Sequence, residues 1–239
     1  MKKLSLAVAL GAILVSSASA TVIIDDFTTG ATSATSSTNN LFVGGSVAAS
    51  VPGGIRTASV ACVNDGFTCG STTSRKAELS VGGGVFGVIT GNGVSSIATL
   101  LYDGGGAGLG GFNLAPGFES FFDVFVGSAD APAVGTTVRL TLTDTGLNSF
   151  AQTLAFTTAV DGGVDPPALI RFLLQDFINA GVNINSLRSI ALRLDGTASP
   201  SASGDYEINL VVTSGVPEPG TYALIGCGLL ALAGLRLRK

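Results

Sequence analysis

Few side chains in this 239-residue sequence can do chemistry, and histidine is not among them. Its absence removes the usual general base of serine and cysteine hydrolases, the usual zinc ligand and the side chain that titrates near neutral pH. No Gly-x-Ser-x-Gly elbow occurs either. What remains is three cysteines, a set of carboxylates, and two tyrosines outside the C-terminal tail, Tyr102 and Tyr206. Cys62 and Cys69 flank Asn64-Asp65-Gly66, a turn sequence that brings two sulfurs together. In an oxidising compartment this pair predicts a disulfide, since two cysteines with no histidine do not complete a tetrahedral zinc site. Cys227 lies in an apolar segment and reads as a small packing residue.

Two carboxylates suffice to hydrolyse a glycosidic bond, but nothing in the spacing of Glu78, Glu119 and Glu207 pairs them. The chain is read as a non-enzyme. Asp25 and Asp26 near the start, with Asp205 or Glu207 near the end, are candidate ligands for one structural calcium ion, which takes oxygen donors. That site requires the first and last strands to meet. No other cofactor is expected. Sugar binding favours exposed aromatic faces; with no tryptophan, Tyr102 and Tyr206 are the candidates, and most phenylalanines are assigned to the core.

The two ends address the chain. Lys2 and Lys3 precede an apolar run from Leu4 to Val15, and Ala18-Ser19-Ala20 supplies small residues for signal peptidase. These features predict a signal peptide over 1–20, its helix too short to span a bilayer, cut after Ala20. At the other end Val216-Pro217-Glu218-Pro219-Gly220 precedes an apolar stretch from Tyr222 to Leu235, then Arg236, Leu237, Arg238 and Lys239. The prolines make a rigid, non-helical lead-in. The segment after them is apolar on every face, as a helix in lipid would be. It spans roughly 21 Å at 1.5 Å per residue, with the basic end held on the cytoplasmic side.

Pro-Glu-Pro, an apolar helix and a terminal basic cluster resemble the PEP-CTERM sorting signal of Gram-negative bacteria. The resemblance covers residues 216–239. It implies recognition by an exosortase, an integral-membrane protease, with removal of the tail near Pro217 to Pro219. It also implies association with exopolysaccharide and biofilm: a protein anchored transiently in the inner membrane, facing the periplasm, then released to the cell surface or beyond.

Between the ends, 21–215 carries fifteen acidic against seven basic side chains, a net charge of about −8. That balance argues against nucleic acid, which is bound through lysine and arginine. The segment is long enough for one domain with a sizeable core. Its Gly, Ser, Thr, Ala and Val usage points to strands joined by turns. Strands are expected over Val22–Phe27, Leu41–Val51, Thr57–Val63, Lys76–Thr90 with a bend at Gly82-Gly83-Gly84, Val94–Tyr102, and Glu119–Gly127. Further strands are expected over Thr137–Thr143, Phe150–Thr157, Ala168–Leu174, Ser189–Leu194 and Tyr206–Val212, with a short helical turn at Asn183–Leu187. Residues 28–40 read as a polar loop, 103–111 with six glycines as a flexible connection, and 196–204 as a hairpin loop. This spacing, without a long amphipathic helix, predicts an all-β antiparallel sandwich. Ile24-Asp25-Asp26-Phe27 and the closing segments 187–195 and 205–208 resemble jelly-roll domains of the carbohydrate-binding type, in which first and last strands lie close together. The expected function is a surface or matrix structural protein; the alternative is a non-catalytic module that recognises an exopolysaccharide.

Overall fold

Period-two alternation decides which side of each strand meets the core. In Thr137–Asp144, Val138, Leu140 and Leu142 are fully buried while Thr137, Arg139, Thr141 and Thr143 face out. The computed structural model describes residues 21–70, 74–117, 119–130, 133, 135–155, 168–198 and 204–215. Its strands are β1 (Ile23–Asp25), β2 (Thr32–Ser36), β3 (Phe42–Ala48), β4 (Ile55–Asn64), β5 (Ala77–Gly82), β6 (Val85–Thr90) and β7 (Val94–Tyr102). They continue with β8 (Glu119–Ala129), β9 (Thr137–Asp144), β10 (Ser149–Ala155), β11 (Ala168–Leu173), β12 (Leu187–Asp195) and β13 (Tyr206–Gly215); one helix, α1, covers Leu174–Asn179.

The strands form two antiparallel sheets. The first runs β11-β8-β13-β6-β5-β2, with β1 also on β13; the second runs β10-β9-β12-β7-β4-β3. Between them lies the core, in which Phe122 meets Phe172 edge to face at 6.5 Å and Phe27 lies 6.0 Å from Phe86. α1 closes one end by burying Leu174 and Phe177, the latter edge-on to Phe150. Each such side chain contributes about 1.5–3 kcal/mol by leaving water. The sandwich is therefore all-β as expected. Among the described residues no helix is long and apolar enough to cross a membrane; the expected signal helix (1–20) and tail helix (216–239) lie outside them.

Several local expectations change. Gly82-Gly83-Gly84, taken as a bend in one strand, is the turn of a hairpin between β5 and β6, with all three glycines at positive φ. Within the supposed loop 28–40, β2 forms an edge strand paired with β5. The turn at Asn183 closes with one hydrogen bond from Ser186 N–H, and the helix forms earlier, at α1. The glycine-rich 103–111 is pinned rather than loose: Gly108 N–H donates to Asp103, Leu109 N–H to Arg188, and Leu109 is buried.

Candidate functional site

The first and last strands meet, through Ile23–Val212 and Asp25–Val211 with a bulge between. The bulge turns both Ile24 and Asp25 inward. Asp25 does not reach Asp205, which precedes the opposite end of β13, about 20 Å away at 3.4 Å per residue. Its carboxylate is instead filled by protein. Arg56 Nη1 donates to both oxygens at 2.9 and 2.8 Å, Tyr102 O–H donates at 3.0 Å, and the Phe27 backbone N–H at 2.9 Å. Arg56 Nη2 donates to the carbonyls of Thr29 and Gly30. Asp26 is turned outward and accepts from the Thr28 hydroxyl and N–H, which hold its carboxyl below the ordinary range. Asp25 and Asp26 are thus not brought together with Asp205 or Glu207 around a shared calcium ion.

The tyrosines are corrected in the same way. Tyr102 and Tyr206 are fully buried between the sheets and offer no face to a sugar. Burial first, and then the charge of Asp25, push the Tyr102 phenol well above its usual range, so it remains a donor. Cys62 and Cys69 form the expected disulfide. Ala18, Ala20, Val216, Pro217, Glu218, Pro219, Cys227, Arg236, Arg238 and Lys239 lie outside the described residues.

What the fold assembles is a shallow groove on the outer face of the first sheet. Ser33, Ser80, Gly87, Glu207 and Ser128 are successive cross-strand neighbours on β2, β5, β6, β13 and β8. Thr35, Glu78 and Ile89 form the adjoining row. A depression of about 320 Å³ lined by Gly87, Ser128, Asp130, Asp205 and Glu207 adjoins one of about 200 Å³ lined by Ser33, Thr35 and Glu78; Ser80 and Ile89 border both. Gly87 makes the notch, because a Cβ there would lie 3.2 Å from Ser80 Oγ and 3.9 Å from Glu207 Cγ. Ile89, 55% exposed, gives the groove an apolar wall. Lys76 pairs with Glu78 at one side. Glu119, the third glutamate, is far from this row at the start of β8 and accepts the Gly117 N–H.

One end of the groove is closed by a reciprocal clasp. Asp205 N–H donates to Asp130 Oδ1, Asp130 N–H donates to the Asp205 carbonyl, and Thr90 N–H donates to Asp205 Oδ1 at 2.7 Å. Burial, reinforced by the charge of Asp130, raises the Asp205 pKa above its ordinary 3.8 despite the Thr90 bond. A raised carboxyl stabilises the fold fully below its unfolded pKa and less as pH rises through the folded value. Asp205→Asn is therefore expected to raise the urea midpoint at pH 7 and leave it unchanged at pH 3. A lower midpoint at pH 7 would show that the fold uses the charge.

Farther along the same face, Arg171 grips the buried Asp123 with two bonds of 2.8 and 2.9 Å and lies 4.5 Å over the Phe121 ring. Phe121 and Phe125 are half-buried there, flanked by the exposed Leu169 and Leu173. They stand apart from the phenylalanines of the core, to which most were assigned from sequence. Their phase in β8, opposite to the buried Phe122, Val124 and Val126, is the signal that places them outside.

Residues 215–239 match the PEP-CTERM protein-sorting motif, beginning at the last residue of β13. The chain therefore carries the address of an exported protein with a transient membrane anchor. Comparison with curated proteins finds no match. Among solved structures, the family 11 carbohydrate-binding module from Clostridium thermocellum, in complex with a β-1,3-1,4-mixed-linked tetrasaccharide, is similar at TM-score 0.38 and 11% identity. The alignment covers 84% of this chain and 99% of that one. A structure of carbohydrate-binding modules from the β-sandwich superfamily is similar at TM-score 0.36 and 10% identity, covering 80% of this chain and 59% of that one. The enzymatically active domain of Bacteriophage CBA120 tailspike protein 4 is similar at TM-score 0.35 and 10% identity, with 80% of this chain and 21% of that one covered. At these TM-scores the likenesses carry no argument about function.

Proposed function

We propose that this chain is a structural protein of the cell surface or extracellular matrix, delivered by exosortase sorting, and that its sandwich holds exopolysaccharide without hydrolysing it. The observation that carries the reading is the sorting motif joined to the end of β13 with no intervening segment. Such a chain presents its sandwich outside the cytoplasm and frees it from the membrane once the tail is processed. Intact mass of the protein from its native host tests this. A start at Thr21 and an end near Pro217, in envelope or medium, is the expected result; a mass that retains Arg236 to Lys239 in the inner membrane overturns the sorting.

The groove favours glycan binding over a purely structural role. Its row of hydroxyls and carboxylates offers donors and acceptors to sugar hydroxyls, and Ile89 supplies an apolar wall. Glu78 and Glu207 are about 12 Å apart at the backbone, given strand spacing near 4.8 Å. Lys76 also occupies Glu78. This spacing and the Lys76 pairing support binding without bond cleavage. Gly87→Leu, which fills the notch, and Glu207→Ala are each expected to weaken retention on host exopolysaccharide about tenfold, equivalent to ~1.4 kcal/mol. Unchanged retention in both variants overturns the groove as the binding surface. Release of sugar by the wild-type chain, lost in Glu207→Gln, overturns the non-catalytic reading.

A further inference from the structure

The outer face of the second sheet differs in charge from the first. One row crosses all six strands through direct neighbours: Thr153 on β10, Arg139 on β9, Arg193 on β12, Thr99 on β7, Ser59 on β4 and Gly44 on β3. Two arginines therefore stand side by side in the middle of a sheet. Like charges directly opposite each other destabilise an antiparallel pair, and their Cβ atoms are about 4.5–5.5 Å apart. Arg139 is exposed and has no carboxylate partner among the described residues. Arg193, 45% exposed at its side chain, uses Nη2 on Asp195 at 2.9 Å. The next row, Ala151, Thr141, Ala191, Leu101, Thr57 and Ser46, leaves the arginines standing above mostly small neighbours.

We propose that this face binds an acidic, carboxylate-bearing polysaccharide, with Arg139 and Arg193 as receptors for its carboxylates; the proposal rests on the extracellular-matrix reading above and adds an anionic ligand on the face opposite the groove. A guanidinium presents a planar fork that takes a carboxylate through two bonds, and two forks at this spacing serve one carboxylate or two neighbouring ones. The surrounding threonine and serine hydroxyls suit the sugar between charges. The acids Glu78, Asp130, Asp205 and Glu207 border the groove on the opposite face, so an anionic chain is repelled there and directed to the arginines. The net charge of about −8 over 21–215 conceals this division.

The test is retention of the full-length protein in gels containing polygalacturonate, its fully methyl-esterified form, or a neutral β-glucan, at low and moderate salt. Polygalacturonate is expected to retard the wild type at low salt. Arg139→Ala and Arg193→Ala are each expected to weaken that binding about tenfold, and Arg139→Glu to abolish it, as for paired charge-assisted contacts. Equal retention by the esterified polymer, or unchanged binding in both alanine variants, overturns the proposal. Duplex DNA bound as tightly as polygalacturonate overturns it in favour of a general polyanion surface. Self-association lost in Arg139→Ala without added polymer, with no retention by polygalacturonate, assigns the face to a second copy instead. Retention by neutral glucan or host exopolysaccharide without polygalacturonate binding defeats this proposal and leaves the glycan reading intact; retention by none defeats both.

Discussion

Arg56→Met is expected to lower stability by about 3–5 kcal/mol, the range for breaking a buried ion pair from one side. Arg56 is fully buried and Asp25 2% exposed. Methionine fills part of the space but leaves the Asp25 carboxylate without its cation, facing the core. The Thr29 and Gly30 carbonyls lose their donor as well. Phe27 also loses a guanidinium 5.6 Å from its ring centre, and its backbone is held at φ 56°, where phenylalanine rarely sits. A domain of this size is stable by some 5–15 kcal/mol, so the substitution removes a large share. The measurement is the urea midpoint at pH 7 for wild type, Arg56→Met, Asp25→Asn and the double variant. The double variant is expected to recover part of the loss, because no charge remains stranded. A single-variant loss below about 1 kcal/mol would place the pair outside the core network.

Replacing Cys62 and Cys69 together with alanine is expected to remove about 2–3 kcal/mol, set mainly by the short loop that the bond closes in the unfolded chain. The two cysteines are seven positions apart and both are buried. The loop is not held by sulfur alone. Asn64 Oδ1 accepts the Cys69 N–H, Asp65 accepts from Ser95, and the Arg75 guanidinium lies 4.1 Å over Phe67. The fold is therefore expected to survive reduction with a lowered midpoint. Urea unfolding with and without reductant, in a Cys227→Ser background that prevents thiol exchange, checks this. The reduced protein and the double alanine variant should agree. A reductant that leaves the midpoint unchanged would mean that the bond constrains little of the unfolded state.

Much of the architecture was legible because strands write their exposure into a period of two. Val94–Tyr102 is observed with its expected bounds, and β9 starts at the expected Thr137 and runs one residue past Thr143. The same reasoning was available for Arg56: it shares its phase with Ala58, Val60 and Cys62, all buried. β2 was not legible, since Thr-Ser-Ala-Thr-Ser has no apolar alternation and becomes a strand through its pairing with β5. The tyrosines misled for a related reason. A tyrosine suits a core or a sugar platform equally well until its partners are known, and for Tyr102 the partner is Asp25, 77 residues away.

Quantities that are local in the chain were settled by the sequence: the sorting motif, the cysteine pair, the missing histidine and the alternation that makes a sandwich. Cross-strand neighbours are not local. Glu207 faces Gly87, and Arg139 faces Arg193, because antiparallel registers align residues separated by 120 and 54 positions. Net charge adds up along the chain without regard to place, whereas binding depends on which charges share a face. The division into an acidic groove and an arginine row therefore arises in the tertiary structure, where strand pairing sets distances that composition leaves free.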